Sequence, residues 1–192
     1  MHAKFRIGIG FAFALLAPTV FAHSTEGVAG GLISGVLHPL FGLDHLVAMV
    51  AVGLWGAFLG DRAVWLLPVV FPSVMAAGAV VGILGFQLGF VEVIIALSGV
   101  VLGAFIVLGY RAPLWLAMLF VGLFAVFHGY AHGLEMPTES SAAAYGAGFV
   151  LATGVLHAGG IAIGFLTRFE RGLWAVRATG AAISVTGLTF LV

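Results

Sequence analysis

Two histidines and a glutamate within residues 127–135 have the spacing of a one-sided metal-binding helix. His128, His132 and Glu135 stand at positions i, i+4 and i+7, so an α-helix places all three side chains on one face. Two imidazoles one turn apart can hold one divalent cation, and a carboxylate one turn further can bind it, orient it or relay it. Because ionisable residues are costly inside an apolar segment, these three are functional candidates.

A second cluster lies in residues 38–45, which read HPLFGLDH. His38 and His45 are seven positions apart, but Pro39 removes a backbone donor and clashes with the preceding turn. Whether the two rings share a face is therefore left open. Asp44 is placed to accept a ring N–H from His45, an arrangement that fixes the tautomer and strengthens the ligand.

Three further residues are candidates for metal binding or relay, each with an ordinary alternative. His157 lies in an apolar segment, where a single histidine more often packs or hydrogen-bonds. Glu92 opens another such segment and would commonly be solvated there. His23 would combine a free amine with its imidazole if a signal peptide ended at Ala22; otherwise it is part of an ordinary exposed terminus. Met49, one turn beyond His45, is more often a core residue.

The ligand types narrow the chemistry. Imidazole with carboxylate and without thiolate suits nickel, cobalt, zinc or copper(II), and argues against copper(I). The chain has no cysteine, which excludes disulfides, thiolate zinc sites and iron–sulfur clusters. Apart from His2 and His23, every histidine lies in an apolar segment. This distribution favours metal or proton handling inside a membrane.

Composition predicts an all-α integral membrane protein. Of the 192 residues, 62% are hydrophobic and 7% are charged, against about 25% charged in an ordinary soluble domain. The mean hydropathy is +1.24. The long continuous apolar runs differ from the alternating pattern of barrel strands. A formal net charge of zero gives no basic surface for nucleic acid.

Residues 1–22 have the features of a secretory signal peptide. Lys4 and Arg6 form a basic region, residues 7–16 are apolar, and Ala22 is a small residue at the expected cleavage point. The alternative is a first transmembrane helix that the mature protein retains. With cleavage, residues 23–192 form one transmembrane domain.

That domain is predicted to contain about six transmembrane helices, each near the length that a bilayer needs. The first is long and is expected to be broken, or re-entrant, near His38-Pro39, with a helix from about Gly42. A three-plus-three inverted repeat is only weakly indicated. The six apolar segments are 28–59, 63–85, 91–109, 113–134, 142–165 and 173–192.

Basic residues predict the orientation. With the mature N-terminus outside, the first, third and fifth loops are cytoplasmic, and these loops hold Arg62, Arg111, Arg168 and Arg171. The positive-inside rule favours this arrangement. It places both mature termini outside, and it agrees with export of the N-terminus by a signal peptide.

At its two histidine motifs the chain resembles the HupE/UreJ family of nickel permeases. Residues 38–45 match a pattern of His-Pro, a glycine and then Asp-His, and residues 127–135 match Phe-His-Gly-x-Ala-His-Gly-x-Glu. The resemblance covers nearly the whole mature chain. It implies nickel as the substrate and implies nickel handling for the residues of both motifs, and less firmly for His157 and Glu92. The motif residues are His38, Asp44, His45, His128, His132 and Glu135.

The expected function is a secondary permease that imports Ni²⁺, or Co²⁺, across a bacterial inner membrane. No P-loop is present. We expect no enzymatic activity and no permanently bound cofactor; the metal ion and the bilayer are the expected partners, and a homo-oligomer is left open. Metal binding needs neutral imidazoles, so transport should depend on protons or pH. The alternatives are a non-transporting metal-binding accessory or sensor protein, and a haem-binding membrane subunit.

Overall fold

The computed structural model of the protein describes residues 27–136 and 141–191, and its regular structure in these ranges is all helical. The prediction of an all-α fold is confirmed for this part of the chain. The predicted signal peptide, residues 1–22, and His23 lie outside the described residues. The helices are α1 (Gly27–Phe41), α2 (Leu43–Leu59), α3 (Ala63–Ile83), α4 (Val91–Leu108), α5 (Leu114–Glu135), α6 (Ala142–Gly164, extended by the 3₁₀ turn Phe165–Arg168) and α7 (Gly172–Thr189).

Length and apolarity identify fewer membrane spans than the six predicted. Helices α3, α4, α5 and α6 with its 3₁₀ extension are each long and apolar enough to cross a bilayer. Helices α1 and α2 meet at an 80° bend and together form one further span or a re-entrant loop. Helix α7 does not meet the same standard, because Arg177 and several threonines lower its hydropathy. By length and composition, the described residues contain four candidate spans, or five if the bent pair counts as one.

The bend between α1 and α2 occurs at a single residue, Gly42. Its N–H donates to the His38 carbonyl at 3.1 Å, as in a continuing helix, and its carbonyl accepts from the Leu46 N–H at 2.8 Å. The ψ angle of Gly42 is 99°, so only this residue is extended. The break predicted near His38-Pro39 thus lies at Gly42, and α1 includes Pro39 in its last turn, where the missing N–H costs one helical hydrogen bond.

Glycines bring α6 into close contact with both α1 and α2. A Cβ at Gly35 would collide with the Tyr145 carbonyl oxygen, and a Cβ at Gly53 would collide with the His157 carbonyl oxygen. Contact positions rise together along α6 and along its two partners, so the chain runs in the same general direction in α6 as in α1 and α2. These backbone contacts fix the height of His157 relative to α2.

Two further helix pairs complete the bundle. Helices α3 and α5 are parallel and meet at Gly129, where a Cβ would collide with the Met75 carbonyl oxygen. Helices α4 and α7 are antiparallel, with Gly103 against Gly180 and Gly99 near Gly187. These directions are the ones that six alternating segments require, if α1 and α2 count as one.

The pairing also fits exchange of the two halves of the chain. Suppose that α1–α2 corresponds to α5, that α3 corresponds to α6, and that α4 corresponds to α7. The packed pair of α1–α2 and α6 then corresponds to the packed pair of α5 and α3. The pair α4 with α7 maps onto itself. An inverted repeat of three plus three segments would give this pairing.

The contact at Gly129 yields a stability prediction. Gly129→Ala should lower the thermal stability of the detergent-purified protein, because its Cβ has no room against the α3 backbone; overpacking of this kind costs about 1–3 kcal/mol. Gly122→Ala on the same helix is the matched control, since nothing lies within 4 Å of its Cβ. Equal melting temperatures for the two variants would contradict the packing described.

Candidate metal site

Four potential metal ligands from three helices converge at one end of the bundle. His38 comes from α1, His45 from α2, and His132 and Glu135 from α5. Each offers one ligand atom, and these atoms all lie within 4.8 Å of one another. We call His38, His45, His132 and Glu135 the four-ligand cluster. The two sequence motifs therefore form one site, with a histidine supplied from each side of the bend at Gly42.

Direct contacts join the members of the cluster. His38 Nε2 lies 3.0 Å from Glu135 Oε2, and His132 Nδ1 lies 3.8 Å from the same oxygen. The ring centroids of His45 and His132 are 4.2 Å apart. The carboxylate can therefore reach two imidazoles at once, while the third packs against one of them. This donor set of three nitrogens and one oxygen is suited to a divalent transition metal.

Asp44 lies beside the four-ligand cluster and is not one of its members. Its Oδ2 lies 3.8 Å from His45 Nε2, which is within ion-pair range but too long for a hydrogen bond. The Asp44 side chain is partly exposed. Its position in the first turn of α2 also favours a negative charge, because the amino end of a helix carries partial positive charge. Asp44 thus adds charge beside His45 without a direct hydrogen bond to its ring.

His128 lies one turn deeper than His132 and is fully buried. Its Nδ1 is 2.9 Å from the Phe124 carbonyl oxygen. Since a carbonyl can only accept, Nδ1 carries the proton, and Nε2 of the neutral ring keeps a lone pair. That nitrogen has no hydrogen-bond partner among the described residues. The His128 and His45 ring centroids are 5.3 Å apart, so a ligand-ready nitrogen lies next to the cluster.

Exposure decreases from Glu135 toward the histidines. The Glu135 side chain is 47% exposed and that of His38 is 28% exposed, whereas His45, His132 and His128 are buried. Neither ring nitrogen of His132 has a hydrogen-bond partner among the described residues, and Nδ1 of His45 also has none. A buried polar group left without a partner costs about 1–3 kcal/mol. Such a concentration of unpartnered nitrogens favours a site for a cation.

Glu92 and His157, which the sequence indicated less strongly, lie on opposite sides of this site. Glu92, in the first turn of α4, is close enough to Glu135 and Asp44 for electrostatic interaction and adds a third carboxylate at the exposed end. His157 lies deeper in the bundle and is separated from His128 by the ring of Phe71.

Aromatic side chains that sequence reasoning did not single out form walls of the site. The Phe149 ring centroid is 4.1 Å from that of His132, and the Tyr145 centroid is 6.1 Å from that of His38. A cavity of about 100 Å³ between α3, α5 and α6 also reaches His132. Apolar residues in an apolar segment give no distinguishing pattern, so only the packing of α6 against α1 places these rings here.

Comparisons with known proteins agree with the resemblance seen at the motifs. The family model described as HupE / UreJ protein matches residues 11–190. The Protein HupE of Rhizobium leguminosarum bv. viciae is 43% identical over 180 residues, which cover 93% of this chain and 94% of that protein. No solved structure matches the chain.

The geometry of the cluster predicts metal binding that depends on its histidines. Purified protein in detergent should bind Co²⁺ with visible ligand-field absorption, and His45→Ala or His132→Ala should weaken binding about ten-fold or more, since even groups that only support ligands contribute that much. Glu170→Gln is a suitable control, because Glu170 is an exposed carboxylate in the turn before α7. Unchanged affinity in both histidine variants would show that the cluster is not the binding site.

Proposed function

The chain belongs to the HupE/UreJ family, and we propose that it is a secondary permease that carries Ni²⁺, or Co²⁺, through the four-ligand cluster. The observation that carries this proposal is the convergence of three imidazoles and one carboxylate within 4.8 Å at the partly exposed end of a helical bundle. Ionisable residues gathered inside apolar helices usually mark an ion pathway.

The first step of the proposed mechanism is capture at the exposed end. Glu135 and Asp44 attract the hydrated cation, with Glu92 contributing to the same negative field. His38 and Glu135 then replace bound waters, and His45 and His132 complete the coordination. Exchange of one ligand at a time avoids a bare cation in low-dielectric surroundings, which would carry a large desolvation cost.

Release requires that the cluster bind weakly enough for the ion to leave. Glu135 is half exposed and touches two histidines, so movement of this one carboxylate would open the cluster. The unpartnered Nε2 of His128 is the next available nitrogen. Protonation of the imidazoles competes with the metal, so uptake should fall in acid as the histidines take up protons.

The same proposal includes location and orientation. We place the protein in a bacterial inner membrane, with six spans, both mature termini outside and no enzymatic activity or resident cofactor. Helix α7 supplies the sixth span because it packs antiparallel along α4, itself long and apolar enough to cross the bilayer. The cluster then faces the outside, and the loops that hold Arg62 and Arg111 face the cytoplasm.

The contacts within the cluster favour a metal ion over haem. Bis-histidine ligation needs a planar slot for the macrocycle between two imidazoles. His45 and His132 instead lie 4.2 Å apart and His38 and His132 lie 4.8 Å apart, centroid to centroid. A non-transporting accessory or sensor protein would share the cluster, and only a transport measurement distinguishes it from a permease.

Transport by the purified protein is the first test. Proteoliposomes should accumulate radioactive nickel, with cobalt as a competitor, and His45→Ala should reduce uptake to the level of protein-free liposomes because a buried ligand is lost. Glu170→Gln should retain wild-type uptake. Metal binding without uptake by the wild-type protein would favour the accessory or sensor function instead.

The orientation is testable because the chain contains no cysteine. A single cysteine at Gln87, an exposed residue between α3 and α4, should react with an impermeant thiol reagent in intact spheroplasts. A cysteine at Asp61, exposed between α2 and α3, should react only after the cells are opened. The reverse labelling pattern would invert the proposed topology.

A further inference from the structure

His157 is a deeply buried histidine with one backbone acceptor beside its ring. Its residue exposure is 2%, and neither ring nitrogen has a hydrogen-bond partner among the described residues. The Pro68 carbonyl lies near the ring, and Pro72 cannot supply that carbonyl's usual helical donor because it has no N–H. One ring N–H of His157 can turn to this free carbonyl, as that of His128 does to the Phe124 carbonyl, and the other ring nitrogen then keeps its lone pair.

One side of His157 faces the site already described. The ring of Phe71 lies 5.5 Å from His157 and 5.4 Å from His128, centroid to centroid, and is fully buried. The unpartnered Nε2 of His128 and the free ring nitrogen of His157 are therefore separated by one aromatic ring.

A second row of polar atoms connects the depth of His45 with the depth of His157 along the α2–α6 interface. Met49 follows His45 by one turn of α2, and Thr153 precedes His157 by one turn of α6. The Thr153 hydroxyl donates to the Met49 sulfur at 3.4 Å, and both residues are fully buried. A hydroxyl that bonds only to a thioether is weakly satisfied, so both groups remain available to a cation.

The depth of His157 places it beyond the four-ligand cluster. The contact between Gly53 and the His157 backbone sets it eight residues past His45, about 12 Å along α2 at the rise of an α-helix. Within helices α2 and α6, the acidic and imidazole side chains are Asp44, His45 and His157. His157 is thus the sole imidazole of these two helices in the half nearer Arg62.

We propose that His157 is an inner metal ligand, which receives the cation from the four-ligand cluster and holds it with the Met49 sulfur and the Thr153 hydroxyl. This inference rests on the permease function proposed above. Transfer breaks the bonds from the metal to the cluster and forms bonds to His157, with no change in oxidation state. A second binding site shortens the distance over which the ion lacks protein ligands.

The test combines loss of the imidazole with replacement by a different ligand. His157→Phe keeps an aromatic ring and removes both nitrogens; uptake by proteoliposomes should fall about ten-fold or more, because the inner half of the path loses its strongest ligand. Co²⁺ binding at the four-ligand cluster should remain at the wild-type level. This separation of binding from uptake would not arise if the substitution simply unfolded the protein.

His157→Cys introduces a thiol, which loses its proton on binding a metal and, as the thiolate, prefers soft cations. In this variant Cd²⁺ should inhibit nickel uptake at a concentration about ten-fold lower than in the wild type, because the thiolate would trap it. Leu156→Cys places a thiol on the adjacent residue and is the matched control; its cadmium sensitivity should match that of the wild type. The two His157 variants differ in size and polarity, so a folding failure in one leaves the other as the test.

The outcomes separate this inference from the permease function. If the wild-type protein does not transport, the proposed function fails and the inner ligand fails with it. If the wild type transports and either His157→Phe or His157→Cys behaves like it in both uptake and cadmium sensitivity, the inner-ligand proposal alone is wrong. If His157→Phe loses uptake but His157→Cys gains no cadmium sensitivity, the histidine acts in packing and the proposal is overturned.

Discussion

The two histidines of the first motif can reach one point only because the chain bends by 80° at Gly42. In a straight helix, residues seven apart are separated by about 10.5 Å along the axis. With the bend, the His38 and His45 ring centroids lie 6.0 Å apart. A Cβ at position 42 would come within 2.9 Å of His45 Cδ2, so the residue that permits the bend must also leave room for the ring that the bend delivers.

The positions of the remaining candidate ligands depend on helix contacts made directly between backbones, without intervening side chains. His132 lies between Gly129 and Gly133, and both glycines pack against carbonyl oxygens of α3, at Met75 and Ala79. Without a hydrophobic force between helices in lipid, such close van der Waals packing is a main source of association. The distances between the candidate ligand atoms are therefore tied to helix-to-helix distances, and a change in packing would alter the geometry of the cluster directly.

The sequence predicted the helices and the candidate ligands better than their mutual arrangement. Their position in apolar segments made His45, His132 and Glu135 candidates without any structure, because ionisable residues are rare there. The common location of the two motifs did not follow from spacing, since Pro39 left the geometry of residues 38–45 open. The bend lies at Gly42 and not at the proline, because one lost hydrogen bond in a last turn is tolerated.

Other features had no signal in the sequence. Phe71 contacts two imidazoles, but it resembles many apolar residues of the same segment until α3, α5 and α6 are assembled. Composition and packing give different answers for the sixth predicted span: the α7 sequence is comparatively polar, yet its glycines fit along α4. Pairing of helices is a tertiary property that hydropathy along one segment does not contain.

Under the proposed function, the unpartnered imidazole nitrogens would allow one site to attract a cation and still release it. If each ring were fully hydrogen-bonded, a metal would have to displace those bonds. Left unpartnered in a buried site, the nitrogens destabilise the empty state, and a bound metal would relieve part of that cost. The free energy gained from coordination is also offset by the cost of removing water from the ion, so the net affinity would stay moderate even with several ligands. A path that must pass an ion onward requires this balance, and a site that stores it does not.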